Sequence, residues 1–528
     1  MHSKFTKAFF FAILMLMSGF SSTLKAQTYP DVAPIFIANC TSCHHAGGLQ
    51  FPLTSYSAIL PWGNLIKNAV QNGNMPPWPA DPTYKHFVRE RVMSAADKAT
   101  LINWINAGMP AGDTTLAPPV PTYNNYQLNG TPDLVLNLPK FTSNANATDM
   151  YICVNVPSGL TQDRYIRAFE FIPGNAALIH HAVMTIDTTG TAVDDYSGNC
   201  TNFQGQINIG DFAPGMGPTV LPGVAPTKFG FRMKAGSTMS FQIHIPEGTA
   251  GLKDSSQLRI FFYPVGEPNV RPMFFETVLQ NWNFYVPAND SILAHATFPV
   301  GGSPMPIAVS LYSAFPHSHK TCTSIINYLY SGIDTIPLIR IPHWDFHWQY
   351  QYIFNNMVKF PVGYHMYSTH KFDNTVNNPE TPDPNVPVLP GLFTTDEMLF
   401  DSYIYTLYQA GDENADIASI LANDPLLTPT SVSNVADVFA GVKVYPNPFT
   451  TETNIDYTLM NAQYVQVGIY DLTGREVSRL SSGIEGMGKH RLVWNGSDAS
   501  GNKLSPGIYM YQIKAGKAVL SGKVVLND

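Results

Sequence analysis

The sequence predicts a multidomain, mainly β chain fronted by one small all-α module. Three observations carry that class. The chain has 528 residues, which at roughly 100–200 residues per domain means three or four domains. Its 42 Pro and 39 Gly, with 12% aromatic residues, are the composition of short strands punctuated by turns. Helical runs occur early in the chain, whereas 130–412 reads as short apolar or alternating segments. With 45% hydrophobic and 13% charged residues, the chain folds around large cores rather than staying disordered. A formal net charge of -8 with 30 Lys+Arg leaves no basic footprint for a nucleic-acid partner.

Residues 1–26 read as a secretory signal peptide: Lys4 and Lys7, an apolar run from Ala8 to Met17, and a small residue at Ala26. The run is too short to span a bilayer, and no later segment offers about 18 uninterrupted apolar residues. An exported chain is expected, in a compartment that permits disulfides.

Residues 27–113 form the all-α module. Ala33 to Ala38 and Ala99 to Ala107 are helix-like, the latter stopped by Gly108. Between them lies Cys40-Thr41-Ser42-Cys43-His44. In a CxxCH the two thiols add to haem vinyl groups and the adjacent imidazole becomes an axial ligand. Met75, in the stiff Asn74-Met75-Pro76-Pro77-Trp78 loop, is suited to be the distal ligand; His45 and His86 are weaker candidates. The module resembles a small class I cytochrome c, which implies one covalently bound haem c that passes single electrons.

A Pro-rich linker, 114–130, leads into the middle of the chain. Asp133 to Leu136, Leu258 to Phe262 and Ile307 to Leu311 are strand-like. No GxSxG elbow, Walker loop or GxGxxG-helix pattern is present, so hydrolase, kinase and dehydrogenase readings lose their usual supports. The stretch instead scatters nitrogen and sulfur metal ligands: His180-His181, His244, His317-Ser318-His319 and Met398. In a strand, His317 and His319 would project from one face, the spacing two ligands of one ion need. Adjacent His180 and His181 would point to opposite faces unless the strand is bulged or strongly twisted. Taken singly, a His in a strand is more often a hydrogen-bonded core residue.

The order of these ligands, with Arg164 to Glu170, Phe315-Pro-His-Ser-His319, Trp344-Asp-Phe-His-Trp348, Phe372-Asp-Asn374 and Thr395-Asp-Glu-Met398, resembles the type II copper, ascorbate-dependent monooxygenases. This family includes dopamine β-monooxygenase and the peptidylglycine hydroxylating enzyme. The resemblance implies two jelly-roll-like β-sandwich copper domains, 131–268 and 269–412, and two copper ions. His180, His181 and His244 would hold the electron-transfer copper. His317, His319 and Met398 would hold the catalytic copper, where O2 and a small-molecule substrate meet. Imidazole and thioether are good copper ligands, whereas zinc, the runner-up, seldom uses Met. Phe315, Phe400 and Ser402 stand where the peptidylglycine enzyme has Arg, Asn and Tyr, and Ile245-Pro246-Glu247 also departs from relatives. A substrate carboxylate without its Arg would be left unpaired, so a peptide C-terminus is a poor expectation. The resemblance further implies a Cys153–Cys200 disulfide, leaving Cys322 as a free, buried thiol. His295, His343, His347, His365 and His370 read as structural or supporting.

After a polar linker, 413–440, residues 441–528 alternate over Val465 to Tyr470, His490 to Trp494 and Gly507 to Ile513, with turns at Thr473-Gly474 and Ser500-Gly501. This segment resembles the type A sorting domain of type IX secretion, a third β-sandwich, Ig-like. It implies the type IX machinery as a partner and a secreted or cell-surface destination. The whole reads as a secreted copper-dependent monooxygenase fed through its fused haem by a reductant or redox protein. The alternative is a haem and copper electron-transfer or copper-binding surface protein that does not hydroxylate.

Overall fold

The computed structural model describes residues 27–46, 48, 50–121, 123, 128–201, 204–427, 438–460, 463–471, 475–515 and 518–528. The leader read over 1–26, much of the 413–440 linker and the Thr473-Gly474 turn lie outside the described residues. No described helix is long and apolar enough to cross a membrane.

The chain divides into two compact units, one of 1–76 with 93–121 and the other of 77–92 with 122–528. The first is all-α: α1 (Tyr29–Asn39), α2 (Tyr56–Ile59), α3 (Gly63–Gln71) and α4 (Ala95–Asn106). Thr28 and Asp31 form a capping box at the start of α1, satisfying N–H groups that a helix end leaves without partners. Ser94 caps α4 by accepting from the Asp97 N–H. Gly108, at φ +82°, follows its last turn, a conformation that costs a glycine little. Phe36 and Trp104 are fully buried and meet edge-on at 6.1 Å, with Tyr29 and Tyr56 around them.

The expected 27–113 module is not one continuous piece, because Pro77–Val92 folds with the second unit. The cause is apolar burial and pairing: Phe87 packs on Tyr352 and Phe354, the Val88 N–H donates to the Ile353 carbonyl, and Asp81 pairs with Arg340 at 2.6 Å.

The second unit is mainly β, with a short helix at Ile417–Ala422. Its first part contains β1 (Leu134–Asn137), β2 (Met150–Pro157), β3 (Arg164–Ile172), β4 (His181–Asp187), β5 (Asp195–Gly198), β6 (Ile207–Phe212), β7 (Phe229–Met233), β8 (Thr238–Ile245) and β9 (Gln257–Phe262). One sheet has the order β1-β9-β3-β7 and the other β5-β2-β8-β4-β6. Strand β8 is central and almost wholly buried, as expected of a strand covered on both faces. The second part contains β10 (Phe274–Asn281), β11 (Ser291–Phe298), β12 (Val309–Phe315), β13 (Cys322–Tyr330), β14 (Thr335–Ile341), β15 (Tyr352–Phe360), β16 (His365–Asp373) and β17 (Leu399–Leu407). They form sheets of order β10-β17-β12-β15 and β11-β16-β13-β14. The apolar core of the first part runs on into Phe275, Tyr312 and Ile404 of the second, and the buried Tyr312 hydroxyl donates to the Val220 carbonyl at 2.8 Å.

The C-terminal segment forms two further sheets: β18 (Phe439–Tyr445), β19 (Thr453–Leu459) and β22 (Gly488–Trp494), and β20 (Gln463–Tyr470), β21 (Glu476–Glu485), β23 (Gly507–Ala515) and β24 (Ala518–Leu526). They close on their own core around Trp494, Tyr457 and Ile513.

Candidate functional site

In the first unit, Cys40 ends α1, and its turn brings Cys43 and His44 beside it. Both thiols are free; burial pushes that of Cys40 up to about 12. His44 Nδ1 donates to the Phe51 carbonyl at 3.0 Å, which leaves Nε2 as the atom that would face an iron, the tautomer control usual for a metal-bound imidazole. Met75 lies in the loop after α3, 39% exposed. The residues present fit covalent haem attachment.

In the second unit two sets of candidate ligands are assembled. His244, on β8, lies opposite His181 on β4 and Tyr151 on β2. His180 sits one residue before β4, and its N–H donates to the His244 carbonyl at 3.0 Å. It therefore escapes the alternation that would have turned it away from His181, with no bulge needed. The three Nδ1 atoms lie 3.2–3.3 Å from one another. Two imidazole nitrogens bound to one metal ion at about 2.0–2.1 Å in tetrahedral geometry sit roughly 3.3 Å apart, so the triad has the spacing of a metal-binding set. Tyr151 stacks on His244 at 4.5 Å, and Asp149 Oδ2 lies 3.2 Å from His244 Nε2.

His317 and His319 do not sit on a strand as expected; they lie in the extended segment just past the end of β12. Their rings are 5.3 Å apart and perpendicular. Gln349 fixes His317: its Nε2 donates to the Phe346 carbonyl at 3.1 Å, so its Oε1 accepts from His317 Nδ1 at 2.7 Å. His319 Nδ1 donates to the Asp396 carbonyl at 3.1 Å. Both histidines thus keep Nε2 free, whereas the first set converges through Nδ1. Met398, buried, precedes β17 directly.

Behind this pair, the buried Glu397 accepts from the N–H groups of His319, Thr321 and Met398 and the hydroxyls of Ser318 and Thr321, at 2.6–3.0 Å. One carboxylate ties the His317–His319 segment to the Met398 segment. Asp401, also buried, accepts from Ser368 and Asn327 and lies 3.2 Å from His370. The sequence reading passed over Glu397, Asp401, Gln349 and Asp149 as individuals, because carboxylates and amides are too common to single out before their partners are known.

Burial holds His180 down to about 3 and His317 and His319 to about 4, with His181 also well below its usual value. All four are neutral near pH 7 and keep a lone pair for a metal ion. The ring of Phe346 lies 5.4 Å from His180 and 6.0 Å from His319, so the two sets are separated by at most about 11 Å between those rings. His181 of the first set and His317, His319 and Met398 of the second line one cleft, together with Phe315 and Phe400. Imidazoles with one thioether suit copper.

The Cys153–Cys200 disulfide is formed, with Cα atoms 5.8 Å apart, and Cys322 is free and buried. Of the remaining histidines, His370 is buried on Asp401, and His347 and His295 are exposed beside Glu380 and Thr369.

Residues 443–527 match the family described as the secretion system C-terminal sorting domain. The segment is such a domain, and the chain is exported by type IX secretion to the cell surface or beyond. No curated protein matches the chain. Similar solved structures include PorZ, a surface component of the type IX secretion system of Porphyromonas gingivalis, at 22% identity over 19% of this chain and 13% of that one, TM-score 0.14. They also include latent PorU from the same organism, at 11% identity over 72% and 34%, TM-score 0.16. A β-glucuronidase from Ruminococcus gnavus is similar at 9% identity over 51% and 40%, TM-score 0.13. The chain thus spans less than half the length of each, and none bears on its activity.

Proposed function

We propose that the chain is an exported copper-dependent monooxygenase that hydroxylates a C–H bond of a small molecule, with electrons entering through its own c-type haem. The observation that carries this reading is the pairing of two different soft-ligand sets on one cleft, an all-imidazole triad and a His-His-Met set within about 11 Å. Copper at such sites supplies one-electron redox chemistry and the activation of O2. The rest is the work of the chain. Gln349 and the Asp396 carbonyl set the tautomers of His317 and His319, so that both Nε2 lone pairs are available without rearrangement. Glu397 holds Met398 and His319 in one backbone frame. Phe315 and Phe400 give the cleft apolar walls that keep water from the reacting carbon. The short span across Phe346 lets an electron pass between the sets without a third redox group. In the first unit, Cys40, Cys43 and His44 would hold the haem, with Met75 as the other axial ligand.

The test is metal content of the exported chain, purified with haem attached and equilibrated with copper. Two coppers per haem are expected. His244→Ala and His317→Ala should each remove one, and Met398→Ala should weaken the second. A single copper, or loss of both from either variant, would leave an electron-transfer protein in place of an enzyme.

A further inference from the structure

The two ligand sets differ in what stands behind their imidazoles. In the first, His244 turns Nδ1 toward His180 and His181, while its Nε2, on the other side of the ring, lies 3.2 Å from Asp149 Oδ2. No aligned hydrogen bond from another group competes for that nitrogen. The pair is shut in, the Asp149 side chain being 10% exposed and that of His244 2%. Asp149 stands one residue before β2 and is held from two directions: Oδ1 accepts from the Glu247 N–H at 3.2 Å and Oδ2 from the Thr394 hydroxyl at 3.0 Å. In the second set the groups behind the rings are neutral. His317 Nδ1 meets Gln349 Oε1, and His319 Nδ1 meets the Asp396 carbonyl. Glu397 and Asp401 stand close to this set, but Glu397 spends its oxygens on backbone N–H groups and hydroxyls, and Asp401 on Ser368, Asn327 and His370. Neither touches a ring nitrogen of His317 or His319.

That difference has a redox consequence. A carboxylate on the outer nitrogen of a ligand imidazole makes the ring a stronger donor, and in a poorly solvated place its charge favours the more highly charged state of a bound ion. A thioether favours Cu(I). The carboxylate acts on the first set and the thioether of Met398 on the second, so both widen the same gap. We propose that Asp149, a positioning residue acting through His244, holds the first set at a lower reduction potential than the second, so that an electron reaching the first runs on to the second. Cu(I) of the first set is oxidised as Cu(II) of the second is reduced, one electron passing and no bond breaking. This rests on the proposed reading of both sets as copper sites.

The experiment is a potentiometric titration of the copper-loaded exported chain, followed by the EPR signal of Cu(II), with each site isolated in turn: His317→Ala leaves the first and His244→Ala the second. The first site should have the lower midpoint. Asp149→Asn, made in the His317→Ala chain, should raise it. Loss of such an outer partner costs about 10–100-fold in metal affinity, and where the loss falls on the oxidised ion this is a rise of about 60–120 mV for a one-electron couple. Asp149→Glu should keep the midpoint low, and Asp149→Asn in the His244→Ala chain should leave the second midpoint where it was. Equal midpoints, the reverse order, or no rise with Asp149→Asn would overturn the assignment. If that variant fails to fold, the order of the two midpoints in chains that keep Asp149 decides alone. Copper content of the same preparations separates the failures: chains without copper end the copper reading and this one together, whereas one copper in each single-site chain with equal midpoints ends this one only.

Discussion

Glu397 holds the proposed second ligand set together more than the strands that flank it. Five donors converge on its two oxygens, and a glutamine would aim an NH2 group at some of them. An unsatisfied buried donor costs about 1–3 kcal/mol. Glu397→Gln should therefore lower stability by about 2–4 kcal/mol in denaturant unfolding and weaken copper at His317, His319 and Met398, while the other copper stays. The histidines themselves set a pH dependence. His180, His317 and His319 are held to about 3–4 when folded but titrate near 6.5 when unfolded. Between about pH 4 and 6.5 the unfolded chain binds more protons, so stability of the metal-free protein is full above 6.5 and lost as pH falls through that window. Its melting temperature should drop from pH 7 to 4.5, and less steeply in a His317→Gln, His319→Gln variant. A flat profile in the unaltered chain would show that these imidazoles are already solvated.

At the scale of elements, strand ends matter more than strand interiors. His180 stands just before β4, His317 and His319 just after β12, and Met398 just before β17. Each is free of the alternation that binds residues inside a ladder, which is why three ligands can meet where alternation would have separated two. The strands supply the fixed frame, braced by the Cys153–Cys200 bridge across 47 residues of chain. For a loop of that length the chain-entropy estimate is about 4 kcal/mol, and measured effects are commonly 2–4. A Cys153→Ala, Cys200→Ala variant should lose about that much in chemical denaturation and should hold the proposed first copper less tightly, since Tyr151 and His244 are the next pair along the same face of the ladder. Phe87, 2% exposed against Tyr352 and Phe354, is the wedge that fastens residues 77–92 to the second unit. Phe87→Ala should cost about 3–5 kcal/mol, read as an earlier unfolding transition of the sandwiches.

For the whole molecule, the C-terminal sorting domain decides where the chain is delivered. Deleting 441–528 should leave the remaining chain folded but retained inside the outer membrane, seen by fractionating cells that express it. The domain has its own closed core around Trp494 and Ile513, so its loss should leave the melting temperature of the rest unchanged. In the first unit, where the proposed function places a covalent haem, Cys40→Ala with Cys43→Ala should abolish the c-type haem signal expected in pyridine haemochrome absorbance.

The mainly β class, the helices around Cys40-Thr41-Ser42-Cys43-His44, and the sorting domain could all be read from the chain, because each rests on local pattern: turn residues, apolar period and contiguous motifs. The identity of the six candidate ligands was legible for the same reason, as soft side chains in an unusual order. Their assembly was not. Only the tertiary structure brings His180 beside His181 without a bulge, places His317 and His319 past the end of a strand, separates Pro77–Val92 from the helical module, sets Gln349 on the cleft and Asp149 beside His244, and seats Glu397 behind His319 and Met398. Those features depend on contacts between residues from about 30 to about 270 positions apart, and side chains as common as Glu, Gln and Asp have no local signature until such contacts are made.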